Sequence, residues 1–222
     1  MMRLAFISDI HANAEALGAL ADVLGAADQV VCLGDLVGYY CQVNEALDLV
    51  RGMNAQCVLG NHDSFLLHGC PPDANDAVRF GIAHADRVIT ADHRAWLTQL
   101  PLTWGGMLGG RAILLAHGSP WRPLTDYLYA DSPLLAGLDA FDYDAVAFGQ
   151  THRALVRNAR RPYLLNPGSV GQSRDVRGHA CMLTVNTDIM AVERTERAYD
   201  IEHVIALAER NGAGTWAPKH LR

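Results

Sequence analysis

Short hydrophobic runs that stop abruptly at glycine or a polar side chain recur through the opening third of the chain. Residues 4–8 form the first, 30–33 the second, halted by Gly34, and 56–59 the third, halted by Gly60. Brief apolar runs bounded by such breakers read as buried strands. Between them Leu17, Leu20, Ala21 and Leu24, and then Val43, Ala46, Leu47 and Val50, recur at the spacing of one helical face. Asn13 is placed to cap the first of these helices. The order β-α-β-α-β predicts parallel strands joined by right-handed crossovers.

Further along, 76–100 reads as helical, with Asp76 and Asp92 as candidate caps, Pro101 as the stop, and Trp96, Leu97 and Leu100 as its apolar face. Residues 112–116, 145–148, 163–165 and 181–185 are further strands, and 190–195 is positioned to pair with the last as a hairpin. Ile201, Val204, Ile205 and Ala208 mark a final helix, and the residues after Asn211 read as a loose tail. No repeat, low-complexity segment or linker interrupts the chain. A single domain over 1–222 is expected, with the helical stretch 64–100 inserted beside the site.

At 222 residues the chain suffices for one substantial α/β domain, and a hydrophobic content of 50% supplies its core. The formal net charge of -6 and the lack of a basic stripe argue against a nucleic-acid binder or a nuclease. Five cysteines with no CxxC pair read as buried reduced thiols in a reducing compartment. The opening residues lack a signal peptide's features, and no run approaches the roughly 18 apolar residues of a membrane span. A soluble, cytoplasmic protein is expected.

The chemistry lies in where the acids and histidines fall. Strand-forming runs end in Ser8-Asp9-Ile10-His11, in Gly34-Asp35, in Gly60-Asn61-His62-Asp63, in His117-Gly118-Ser119 and in Gly149-Gln150-Thr151-His152. Parallel strands bring such ends to one edge, where open α/β folds bind ligands. Carboxylate, imidazole and amide donors suit borderline divalent ions such as Mn, Fe or Zn, and the lack of clustered cysteines argues against structural zinc. Asp9 and His11, two apart, can reach one ion if the turn bends there, and the two oxygens of Asp35 can bridge a pair. Each fragment alone is common by chance; a lone histidine after a strand is more often a satisfied polar residue. All five in order at strand ends are not.

The ordered set DIH (9–11), GD (34–35), GNHD (60–63), HG (117–118) and GQTH (149–152) resembles that of the calcineurin-like metallophosphoesterases. The surrounding text ISDIHAN, LGDLVGY, LGNHD, AHGSP and LNPGSVGQSRD looks like the superfamily's small bacterial branch, and the likeness runs from about residue 4 to 195. It implies an α/β fold, a four-layer αββα sandwich of two mixed β-sheets flanked by helices. It also implies two divalent metal ions, Mn favoured over Fe or Zn. Asp9, His11 and His152 would hold the first, Asp35 would bridge, and Asn61 and His117 would hold the second. His62 would contact the substrate phosphate, with Asp63 orienting it.

One position departs from the pattern. Gln150 stands where the family usually has a histidine on the second metal, so a weaker second site is expected, whether Gln150 ligates through its amide oxygen or points away. The implied activity is hydrolysis of phosphomonoesters or phosphodiesters of a small molecule, a nucleotide among them, by metal-activated hydroxide. A dinucleoside polyphosphate hydrolase is the sharper alternative, and a binding scaffold that lost its chemistry is a third, disfavoured by the retained ligands. Arg122, Arg153 and Arg174 lie near motif loops and could bind further phosphate, although ordinary surface arginines are the plainer reading. Tyr39, Tyr40, Trp121, Tyr127 and Tyr129 could stack a base or simply line the rim.

Overall fold

A computed structural model describes residues 2–222. Strand β1 (Arg3–Ile7) is followed by two short helices, α1 (Ala14–Gly18) and α2 (Ala21–Gly25), where a single helix was expected. Gly18, a poor helix former, ends the first of them. The Asn13 side chain accepts from Ala16 N at 3.0 Å and caps α1 as anticipated. Strand β2 (Gln29–Cys32), helix α3 (Val43–Gly52) and strand β3 (Gln56–Cys57) continue the pattern, and β1, β2 and β3 are parallel. β3 is shorter than its apolar run because Leu59 N donates to Pro101 O at 2.8 Å and leaves the sheet.

The helical region starts earlier than 64, with α4 (Asn61–His68) rising directly from the Gly60 motif. α5 (Asp76–Val88) is capped by Asn75, whose side chain accepts from Val78 N, and α6 (Ala91–Leu97) by Thr90, which accepts from His93 N. Asp76 and Asp92 are therefore not the caps. They occupy the first turns, where an acid complements the helix dipole.

Strand β4 (Thr103–Leu108), absent from the hydrophobic pattern because it sits on a sheet edge with two glycines, forms a hairpin with β5 (Arg111–Ala116). A 3-10 helix (Pro133–Ala140) precedes β6 (Ala145–Ala147), β7 (Ala154–Arg157) and β8 (Tyr163–Pro167). β9 (His179–Asn186) and β10 (Ala191–Ala198) make the expected hairpin, followed by α7 (Ile201–Arg210) and α8 (Trp216–Leu221). The tail after Asn211 is thus not loose. The Trp216 ring lies within 6.0 Å of Tyr39, 5.6 Å of Tyr40 and 5.9 Å of Phe80, and Ala217 and Leu221 are buried.

Two five-stranded mixed sheets result, in the orders β10-β9-β1-β2-β3 and β4-β5-β6-β8-β7. Alternation along the strands sorts the core into layers. Leu4, Phe6, Val31 and Leu33 of the first sheet meet Ile113, Leu115, Ala145 and Leu165 of the second. The other face of the first sheet, Ala5, Ile7 and Cys32, packs on Leu17, Leu20, Leu47 and Val50 of the helices. Leu114, Val146 and Leu164 pack outward on Leu128 and on Leu138 of the 3-10 helix. This is the four-layer arrangement. Among the described residues no helix is long and apolar enough to cross a membrane.

Candidate metal centre

The parallel strands of both sheets end at the same rim of the sandwich. β1, β2 and β3 deliver Asp9, His11, Asp35 and Asn61 from one sheet; β5 and β6 deliver His117, Gln150 and His152 from the other. Backbone bonds lock the loops together: Asp9 N donates to Gly34 O at 3.0 Å, His11 N to Asp35 O at 2.9 Å, and Gly149 N to His117 O at 2.8 Å. Gly60 is required by close approach, since a Cβ there would collide with the Asp35 carboxylate. Among the described residues nine non-glycine positions have positive φ, and seven of them, Asp9, His11, Ala12, Asp35, Tyr39, Gln150 and His152, lie in these loops. Such conformations cost on the order of 1–3 kcal/mol each and persist where the surrounding structure compels them.

Six expected ligands and His62 are all buried here. Three constellations of side-chain donors have all their atoms within 4.8 Å of one another: Asp9, His11 and His152; His11, Asp35 and His62; and Asp9, Asp35 and His117. The first is the expected first-metal set. Asp35 Oδ2 lies 3.4 Å from His117 Nε2 and 3.7 Å from His11 Nε2, so it stands between sites as a bridging carboxylate would. Asp9 Oδ1 lies 3.3 Å from His152 Nε2.

The hydrogen bonds behind the imidazoles set their chemistry. His11 Nδ1 lies 3.2 Å from Val37 O, His117 Nδ1 2.7 Å from Leu33 O, and His152 Nδ1 2.8 Å from Gln172 O. A carbonyl only accepts, so each Nδ1 carries a proton and each ring turns Nε2 inward, the nitrogen a cation would take. The Nε2 atoms of His11 and His152 then face each other at 3.0 Å, with both Nδ1 protons already committed to carbonyls. His117 Nε2 meets Asn61 Oδ1 at 3.0 Å, so without a cation only a second proton on the ring satisfies that pair. Asp9 Oδ1 and Gln150 Oε1 are buried with no hydrogen-bond partner. Opposed ring nitrogens and orphaned oxygens are what a cation reconciles, so the donor set fits bound divalent metal.

The electrostatics agree. Burial would raise the Asp9 carboxyl, but His152 and His117 outweigh it and hold it below its ordinary range. Asp35 is likewise opposed by burial, yet His117, His62 and His11 pull it far down. Burial disfavours charge on His117 too, but Asp35 and Asp9 raise it to about 10, so positive charge is favoured at that point. His11 is held well below its ordinary value, first by burial and then by His62.

Other expectations fare differently. Asp63 makes no hydrogen bond to His62 among the described residues. Its Oδ1 accepts from Leu36 N at 2.9 Å and Val37 N at 3.1 Å, and its Oδ2 from Gly60 N at 3.0 Å, so it ties the Asp35 loop to the start of α4. His62 is held instead by rings, with centroids 4.6 Å from His11 and 4.8 Å from Tyr39, and its Nδ1 has no partner. Gln150 splits its amide: Nε2 donates to Leu124 O at 3.2 Å while Oε1 stays unpaired. Arg153 pairs with Asp175 at 3.6 Å and Arg122 with Asp126 at 3.6 Å. Arg174 gives its backbone N–H to His152 O at 3.0 Å. Its guanidinium is exposed, with no ion pair or hydrogen bond among the described residues.

The hydrophobic pattern gave no weight to 166–172, which supports the site from behind. Ser169 Oγ donates to Asp9 O at 2.8 Å, and Asn166 Nδ2 to Gly149 O at 2.9 Å. The signal available was a run of small polar residues and glycine directly after a buried strand.

A profile of the calcineurin-like phosphoesterase superfamily domain matches residues 2–188. An uncharacterized protein of Methanocaldococcus jannaschii is 31% identical over 98% of this chain and 96% of its own length. The crystal structure of a metallophosphoesterase from Sphaerobacter thermophilus is 28% identical and superposes with a TM-score of 0.84, covering 99% of this chain and 98% of that one. A hypothetical protein of Pyrococcus horikoshii shares the fold at a TM-score of 0.87 and 19% identity, covering 100% of this chain and 98% of its own.

Proposed function

Because the chain belongs to the calcineurin-like phosphoesterase superfamily, we propose that it hydrolyses phosphate mono- or diesters of small molecules at this cluster, using two divalent ions. The observation that carries the reading is the pair of opposed Nε2 atoms on His11 and His152, 3.0 Å apart beside the orphaned Asp9 Oδ1. Asp9, His11 and His152 would hold the first ion, Asp35 would be shared, and Asn61 and His117 would hold the second with Gln150 Oε1. A mixed oxygen and imidazole set without thiolate suits Mn, Fe or Zn, and its two carboxylates and two amide oxygens favour Mn. When bound, such a pair supplies a hydroxide near neutral pH and offsets charge on the phosphoryl oxygens.

The chain's own residues do the rest. The carbonyls of Val37, Leu33 and Gln172 hold the three Nδ1 atoms so that each Nε2 faces the centre. His62, whose backbone N–H donates to Asp35 Oδ1 at 2.8 Å, is anchored beside the cluster with an unpaired Nδ1. Burial lowers its pKa, partly opposed by Asp35, so the neutral ring dominates near pH 7 and the proton it carries in the minor protonated form is readily given to a departing oxygen. A scaffold that had abandoned catalysis would be expected to have lost some of these donors, and this chain keeps them.

Asp35→Ala and His62→Ala, assayed on an aryl phosphate with Mn²⁺ and by elemental analysis, test the scheme. Asp35→Ala should lose both metal and turnover. His62→Ala should keep its metal and lose turnover by about 100-fold, the lower range for a proton donor. Normal metal content and normal activity in both variants would refute the assignment.

A further inference from the structure

The aromatic residues near the motifs fall into two kinds. Tyr39 and Tyr40 are buried and belong to the core. Trp121 packs beside Phe141, with centroids 5.4 Å apart, and over Gly137. Tyr127 and Tyr129 differ: they are 47% and 39% exposed, while Leu128 between them is 1% exposed and fixed in the core beneath the second sheet. The buried leucine between them anchors a pair of partly exposed rings at the surface. Those rings are nearly parallel, at 14°, with centroids 6.2 Å apart.

The segment is held against the metal centre. Gly118, directly after the candidate ligand His117, donates its N–H to Pro123 O at 2.7 Å, and a Cβ on Gly118 would lie 2.6 Å from Asp126 O. Ser119 Oγ donates to Asp126 Oδ2 at 2.7 Å, and Gln150 Nε2 donates to Leu124 O at 3.2 Å. The residue that departs from the family pattern therefore ties this aromatic loop to the cluster. Arg174 completes the arrangement: its backbone N–H donates to O of the candidate ligand His152 at 3.0 Å and its exposed guanidinium has no ion pair among the described residues, while Arg122 and Arg153 are paired with acids.

We propose that Tyr127, Tyr129 and Arg174 form a nucleotide-recognition subsite, in which the rings stack the base and Arg174 takes a phosphate next to the one bound at the metal cluster. The proposal rests on the phosphoesterase reading and adds the substrate class to it. A planar ring with a chain of phosphates matches a flat aromatic face beside a free guanidinium. In a chain of net charge -6, a local positive group beside the metal cluster adds to the affinity for such an anion.

Calorimetric titration of the Mn²⁺-loaded protein with ADP, AMP and inorganic phosphate tests it. The variants are Tyr127→Ala with Tyr129→Ala, the matching pair of phenylalanine substitutions, Arg174→Ala, and Trp121→Ala as an exposed aromatic outside the subsite. The alanine pair should weaken ADP by about 10-fold or more relative to inorganic phosphate, as loss of base stacking does. The phenylalanine pair should retain ADP binding, and Arg174→Ala should erase the preference for ADP over AMP. Equal weakening of ADP and inorganic phosphate by the alanine pair, or an equal loss in Trp121→Ala, would overturn the subsite. If the wild-type protein hydrolyses aryl phosphate yet binds ADP no better than phosphate, the subsite alone fails. If it hydrolyses no phosphate ester, the phosphoesterase reading fails with it.

Discussion

The chemistry of the centre is decided atom by atom. A histidine after a strand presents one nitrogen to a metal when something holds its far nitrogen, and here three backbone carbonyls do so. Gln150 shows the same logic with a different outcome. Its nitrogen is committed to Leu124 O, and its oxygen is left buried without a hydrogen-bond partner, a neutral donor where an imidazole would bind more strongly. Mn²⁺ titration of the wild-type protein should therefore show two unequal steps. Gln150→His should tighten the weaker one by about 10-fold, a change of about 1.4 kcal/mol. Two equal, fully occupied sites in the wild-type protein would contradict the weak-site assignment.

Among the elements, the clearest conflict between local preference and packing is in α5. Gly81 is an interior helical glycine, where alanine ordinarily gains about 1 kcal/mol. A Cβ there, however, would collide with the backbone of Tyr39, whose ring packs 4.5 Å from His11 and 4.8 Å from His62. Gly81→Ala should accordingly destabilise the protein by about 1–3 kcal/mol, the usual cost of overpacking, read from its urea midpoint. A stabilised variant would show that α5 is free to move off the loop. The elements also show where a sequence reading falters. β1, β2, α3 and α7 were legible because their apolar periods are strong. β4 was not, since Gly105 and Gly106 thin its pattern, although Gly109-Gly110 between it and β5, both with positive φ, mark a two-residue hairpin turn. α8 escaped because Trp216, Ala217 and Leu221 find partners on remote segments such as Tyr40 and Phe80.

For the whole molecule, the consequence is coupling between metal and fold. Carboxylates and imidazole nitrogens from both sheets are forced together at one rim, so a bound cation should stabilise the sandwich itself. A ligand at 100 times its Kd adds about 2.7 kcal/mol, which for a chain of this length is a Tm shift of about 5–10 °C. Chelation should lower the Tm by that much, Mn²⁺ should restore it, and the double variant Asp9→Asn with Asp35→Asn should respond to neither. A melting curve indifferent to chelator in the wild-type protein would count against a built metal site.

The order of apolar runs and the polar residues at their ends were enough to determine the α/β class and which side chains were candidates for the centre. They suffice because strand burial and strand termination are local properties. The partnership of β5 and β6 with β1 and β2 across two sheets was decided only by the tertiary structure, as were the ring orientations of the three histidines, Asp63 bracing a loop, and Gln150 reaching Leu124. These depend on contacts between residues far apart in the chain, and no periodicity along a sequence records which distant backbone carbonyl a side chain will meet.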